Sequence, residues 1–176
     1  MTSEIDMRYR LDVCAATVLD AVVFAGGWLY DRAMAGWDVT VLIGSTGEDV
    51  RPLEILGARV IELGPVLDSW SDRPHPQTVA IAADLYETDE RVRQHVRNAL
   101  DHRLTEVTLW GEHCPADLDR NVDSVRHELS AAARAFKAQA LAAAGDIAAD
   151  LVGDVETFRA GMMSRPSVAA DLIPAS

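Results

Sequence analysis

Three short runs rich in β-branched residues, each shut off by glycine, constrain this chain more than any other feature. Asp38–Ile43 reads Asp-Val-Thr-Val-Leu-Ile before Gly44, Arg59–Leu63 lies between Gly57 and Gly64, and Glu106–Trp110 reads Glu-Val-Thr-Leu-Trp before Gly111. Such side chains suit a pleated, half-buried surface, and the glycines supply the turns that end it. Helical patterns separate the runs. Thr17 fits the N-cap of a helix reaching about Ala35, Asp49–Leu56 reads as a short helix, and Thr88–Arg103 carries Val92, Val96, Ala99 and Leu100 on one side. Parallel strands need helical crossovers, so alternation of this kind predicts an α/β fold. The expectation is a Rossmann-like or flavodoxin-like parallel sheet of three to five strands with covering helices. Arg10–Ala15 and Thr78–Ala83 are the weaker strand candidates that leave the count open.

Two details stand out inside the first helix. Gly26 and Gly27 fall in its interior, where each glycine costs about 1 kcal/mol relative to alanine. That points to close packing against a neighbour or to a kink. Trp28 and Trp37 flank the same helix as anchors to the sheet. Asp20 and Asp31 also lie on it, and solvated or capping roles are the ordinary ones for such acids.

Past residue 117 the pattern changes. Leu118, Val122, Val125, Leu129, Ala132, Phe136 and Ala140 recur every three or four residues, close to a heptad seam on one long helix. Ile147, Leu151, Val155, Phe158 and Met162 read as a second amphipathic helix. The predicted organisation is an α/β core over 1–117, a helical part over 118–163 and a flexible tail over 164–176.

The chain of 176 residues suits one domain, and its net charge is −12. A phosphate backbone would repel that field, so nucleic acid is disfavoured as a partner, as are anionic membranes. No signal peptide or bilayer-length apolar run is visible, which places the protein in the cytoplasm. Lys137 is the sole lysine, which leaves no P-loop lysine and points, with the Arg, Ala and Val content, to a high-GC bacterial source. Cys14 and Cys114 are too few and too far apart for a disulfide framework or a zinc site. No HxxxH or CxxC spacing supports a metal, and the residues indicate no particular cofactor.

Ligands in open α/β sheets bind at the carboxyl ends of the strands. Gly44, Ser45, Thr46 and Gly47 follow the best strand and open a helix, so their amides and hydroxyls could hold a small anionic ligand. After Glu106–Trp110 come Glu112, His113 and Cys114, which offer a base and a thiol. Trp70, with Arg73 and His75, lies in the long loop Gly64–Gln77. From Gly36 to Gly57, a strand ending in Val-Leu-Ile, then Pro52-Leu53 and Leu56-Gly57, resembles the second strand and helix of flavin-binding cysteine decarboxylases. It also resembles the first βαβ unit of sugar-nucleotide transferases. The glycine-rich first turn expected of either is replaced by Cys14-Ala-Ala-Thr17, so no family is assigned.

Two functional readings follow. In the first, the protein is a non-catalytic regulatory or interaction protein that self-associates, most simply as a homodimer, through Leu118, Val122, Val125, Leu129 and Phe136. In the second, it is a small-molecule or nucleotide-binding enzyme with its site at the strand ends. The seam favours the first.

Overall fold

A computed structural model describes residues 8–102, 105–120, 122–145, 152–161 and 172–174. The strands are β1 (Arg10–Ala15), β2 (Asp38–Ile43), β3 (Arg59–Glu62), β4 (Thr78–Ala82), β5 (Glu106–Trp110), β6 (Val122–Glu128), β7 (Val155–Gly161) and β8 (Ile173–Pro174). The helices are α1 (Val18–Met34), α2 (Arg51–Ile55), α3 (Leu63–Asp68), α4 (Ala83–Thr88), α5 (Glu90–His102) and α6 (Ala131–Ala143).

All the strands join one sheet in the order β3-β2-β1-β4-β5-β7-β6-β8. The first five pair in parallel. β7 then runs antiparallel to β5, β6 to β7, and β8 to β6. The mixed α/β class is as expected, but the sheet has eight strands rather than three to five. Both weak candidates are central strands: every β1 residue from Leu11 to Ala15 is buried, and so is all of β4. β1 reads poorly because Asp12 interrupts its apolar run. That carboxylate is buried and accepts two hydrogen bonds from Arg73 at 3.2 Å each.

The long C-terminal helix is not found. Leu118 precedes β6, Val122 and Val125 belong to β6, Leu129 sits in the following connection, and only Ala132, Phe136 and Ala140 lie on α6. The heptad-like spacing was a sum over several elements. Of the second amphipathic stretch, Val155 and Phe158 are in β7, while Ile147, Leu151 and Met162 lie outside the described residues. In the expected tail, Ile173 and Pro174 pair with Arg126 and Val125 of β6, and 164–171 and 175–176 lie outside the described residues.

α1, α2 and α6 pack together, as do α4 and α5. Strand alternation assigns the faces. Trp110 reaches Asp20 of α1 at 3.3 Å, whereas Val79 and Ile81 share a cavity with Val92 and Val96 of α5. α1 is capped as predicted, the Thr17 hydroxyl oxygen accepting from the Asp20 amide at 3.1 Å.

The glycine pair in α1 has a definite cause. A Cβ on Gly27 would overlap the Leu129 side chain, and one on Gly26 would crowd Leu56 and Lys137. Lys137 Nζ donates to the Val23 carbonyl at 2.6 Å and to Glu156 Oε2 at 2.6 Å. Glu156 in turn accepts from the amides of Gly27 at 2.9 Å and Trp28 at 2.7 Å. The Val23 carbonyl and the Gly27 amide pair with each other in an unbroken helix; here each has a side-chain partner. A second tie lies near the end of α1. Asp31 accepts from the Ser130 hydroxyl at 2.5 Å and amide at 3.1 Å, and lies 2.7 Å from His127 Nε2.

Removing one member of a buried ion pair strands the other charge, at a cost of about 3–5 kcal/mol. Lys137→Met is therefore expected to lose about that much unfolding free energy in a urea titration, and Gly27→Ala about 1–3 kcal/mol through overpacking. A loss below about 1 kcal/mol for Lys137→Met would show that the pair does not hold α1 to α6 and β7.

Candidate functional site

The parallel strands end along one edge of the sheet, and the chain leaves β1, β4 and β5 there into α1, α4 and the turn at Gly111. Gly111 has φ of 135°, and a Cβ on it would stand 3.2 Å from the Ala83 Cβ. Glycine alone fits this turn comfortably, and the tight turn brings the following residues back over the edge.

The result is a cleft of about 320 Å³, with Asp20 and Phe24 from α1, Asp84 from α4, and Trp110, Glu112 and His113 from the end of β5. Asp20 is half-buried at its centre. Burial pushes its carboxyl above the usual carboxylate range, and the Asp84 charge adds to the rise, while the Trp110 Nε1–H bond at 3.3 Å opposes it. The bond also fixes where the carboxylate points. Phe24 and Gly111 further border a second cavity of about 430 Å³ whose far wall holds Lys137 and Glu156. The two cavities thus share Phe24 and Gly111 in their walls.

Of the residues singled out in the sequence, Glu112 and His113 enter the cleft together. Gly44, Ser45, Thr46 and Gly47 do not line it. That loop packs against β1 instead, with the Gly44 and Ser45 amides donating to the carbonyls of Ala15 at 2.9 Å and Ala16 at 3.0 Å. Glu48 Oε2 accepts from the Val18 amide at 2.7 Å, so the chain's own carboxylate occupies the first turn of α1. Trp70 lies on the α5 side of the sheet, stacked on His95 at 4.8 Å between ring centroids. Burial raises the Cys114 thiol above its ordinary value, which disfavours the thiolate form.

Asp20, Asp84 and Trp110 were missed as a group. Asp20 follows the capping Thr17 by three residues, directly after β1. Had β1 been recognised as a central strand, the edge rule would have placed Asp20 at the site.

The predicted association surface is dispersed. Leu118, Val122 and Leu129 are buried, and Val125 is half-buried. Phe136 is 42% exposed and stacks on Tyr30, with 4.6 Å between ring centroids. Among the described residues, no group of three or more His, Cys, Asp or Glu is placed to hold a metal ion. None of the helices, among the described residues, is long and apolar enough to cross a membrane.

No protein-family model matches the sequence, and no curated protein matches it. The fold, however, is similar to solved deacetylase structures. The A40926 pseudoaglycone deacetylase Dbv21 aligns with a TM-score of 0.62 and 16% identity, over 92% of this chain and 100% of that one. The zinc inhibited form of teicoplanin deacetylase Orf2 aligns with a TM-score of 0.62 and 16% identity, over 90% and 100%. A deacetylase–teicoplanin complex gives a TM-score of 0.59 and 16% identity, over 89% and 100%. These neighbours are enzymes, and the seam is spread over several elements. Together the two findings overturn the reading of a non-catalytic protein that self-associates through a long helix.

Because burial raises the Asp20 carboxyl, the folded chain keeps that proton at pH values where the unfolded chain has released it. The stability this contributes is fully present below the unfolded carboxylate range and is lost as pH rises through the raised value. Asp20→Asn keeps an acceptor for Trp110 without the charge. Its melting temperature, measured against the wild type, is expected to match at about pH 3 and to gain progressively above about pH 4. An offset independent of pH would show that Asp20 titrates as an ordinary surface acid.

Proposed function

We propose that this protein is an enzyme acting on a small molecule in the cleft at the carboxyl ends of β1, β4 and β5, and that its reaction is hydrolytic removal of an acyl group from an amine. The observation that carries the reading is a half-buried carboxyl of raised pKa, Asp20, sharing a cleft with His113. A carboxylate so placed is a better base near neutral pH than a solvated one. The likeness to deacetylases supplies the reaction class.

In this reading the Asp20 carboxylate takes a proton from water as the water oxygen bonds to the acyl carbon. Trp110 holds Asp20 in place through its indole N–H. His113 delivers a proton to the amine nitrogen as the carbon–nitrogen bond breaks, leaving a carboxylic acid and a free amine. Phe24 covers the cleft and limits water to the reacting molecule. Asp20, Asp84 and Glu112 give the cleft a negative field, which favours a neutral acylated substrate and a cationic amine product. Zinc appears in the description of one neighbour. The described residues of this chain offer no three-ligand group for a metal, so no step is assigned to one.

Incubation with a panel of N-acetylated amino sugars and N-acyl aromatic amines, read by an amine-reactive fluorophore, is expected to show release of the free amine. Asp20→Asn should lower kcat about 100-fold or more with little change in KM. The hydrolytic reading fails if no panel member is turned over at high protein concentration, or if Asp20→Asn retains the wild-type rate.

A further inference from the structure

We infer that the protein has a second ligand site, separate from the cleft, that takes a small, flat, uncharged aromatic molecule on the opposite face of the sheet. The site is a cavity of about 410 Å³ between α5 and the face of β1 and β4, within the size range of small-molecule pockets. Its exposed lining residues are Ser71, His75, Asn98 and His102, which mark its mouth.

Its floor is aliphatic. Val79 and Ile81 of β4 face Val92, Val96 and Ala99 of α5. The register places Cys14 beside Ile81, and its thiol is 1% exposed. Past Val96 the helix lines the cavity with Asn98, Ala99 and His102, and of these only Ala99 adds to the aliphatic floor. Water is a poor occupant for the floor, because an ordered water needs two to four polar partners. In a chain that is 25% charged, the described residues lining this cavity include no Asp, Glu, Lys or Arg. A charged ligand would lose its hydration here, and the described lining offers it no carboxylate, ammonium or guanidinium in return.

One wall is flat and held in place. Trp70 stacks on His95 at 4.8 Å between centroids with 19° between the planes. His95 Nε2 lies 3.3 Å from the Leu67 carbonyl. The turn that carries Trp70 is tied to the sheet centre, because Arg73, directly after it, donates twice to buried Asp12 at 3.2 Å. Deeper in, the buried Thr105 hydroxyl donates to the Pro76 carbonyl at 3.1 Å. An aromatic wall already fixed by such contacts needs little ordering when a ring settles against it. Ser71, His75 and Asn98 supply hydrogen-bonding groups to the lining, enough to meet a single hydroxyl, amide or ring N–H.

Indole is a suitable probe, added to the full chain while the indole N–H resonances of its tryptophans are followed by NMR. The expected result is a saturable shift of the Trp70 resonance, with binding at least tenfold weaker for indole-3-acetate, which differs by a carboxylate. Ala99→Phe, filling the floor, should weaken indole binding at least tenfold. Ser71→Trp places its bulk on an exposed residue at the lining, so it tests the same point if the core substitution does not fold. Asp20→Asn should leave indole affinity unchanged, since it alters only the cleft. Absence of a saturable Trp70 shift up to the solubility of indole overturns the inference. So does binding that survives Ser71→Trp, or binding lost in a folded Asp20→Asn variant.

Discussion

The ion pair of Lys137 and Glu156 is the constraint on which the α1 side of the molecule depends. Its side chains are 8% and 4% exposed, so both charges have left water. Coulomb attraction rarely offsets that loss unless the remaining donors and acceptors are also satisfied. Here they are met by the backbone of α1. Lys137 takes the Val23 carbonyl, and Glu156 takes the Gly27 and Trp28 amides. The only lysine of the chain therefore joins α6 and β7 to the middle of α1, which lies more than a hundred residues earlier in the sequence. The glycines follow from the same contact: a side chain at Gly27 would overlap Leu129, and one at Gly26 would press on Lys137.

This tie also shapes the site. β7 enters the sheet beside β5, antiparallel to it, and brings Glu156 beneath α1. The same ion pair lines the cavity that shares Phe24 and Gly111 with the cleft. Thus α1 is anchored at its middle by charge, near its last turn by Asp31 with His127 and Ser130, and at its first turn by Thr17 and Glu48. Asp20 sits between the anchors at the first turn and at the middle. Burial on that anchored helix raises its carboxyl, and the Trp110 N–H directs it.

Legibility in the sequence followed how closely each element obeys the rule that apolar residues face inward. β2 and β5 are buried along nearly their whole length, and their bounds are legible to the residue. α1, which exposes Leu19, Val23, Phe24 and Met34 and buries Arg32, is legible through its Thr17 cap instead. β7 violates the rule: Glu156 and Phe158 point inward while Val155 is 44% exposed. A strand that buries a glutamate and exposes a valine carries no alternation signal, because the partner that makes the burial possible, Lys137, is nineteen residues away. β6 fails for a related reason. His127 is its buried polar residue, satisfied by Asp31 from α1. With those two strands unreadable, the spacing of Leu118, Val122, Val125 and Leu129 was left to suggest a helix. The site suffered similarly, since Glu112 and His113 follow a clear strand and were found, while Asp20 follows a strand masked by buried Asp12.

The same logic separates the two faces of the sheet. On the α1 face, buried polar side chains have dedicated partners: Glu156 with Lys137, and His127 with Asp31. On the α5 face, Asp12 has Arg73, and beyond that pair the described lining of the cavity holds no Asp, Glu, Lys or Arg. Polar chemistry and apolar binding are thus divided between opposite sides of one sheet. The division follows from which long-range partners exist. A buried charge survives only where another element delivers its counterpart, and the residues of α5 that face β4, Val92, Val96 and Ala99, are apolar. Substituting a charged residue at Ile81 would meet no such counterpart, whereas Glu156 on β7 already has one. The position of a second site is therefore a consequence of where the chain has placed its few partners for buried charge, as much as of the space it leaves open.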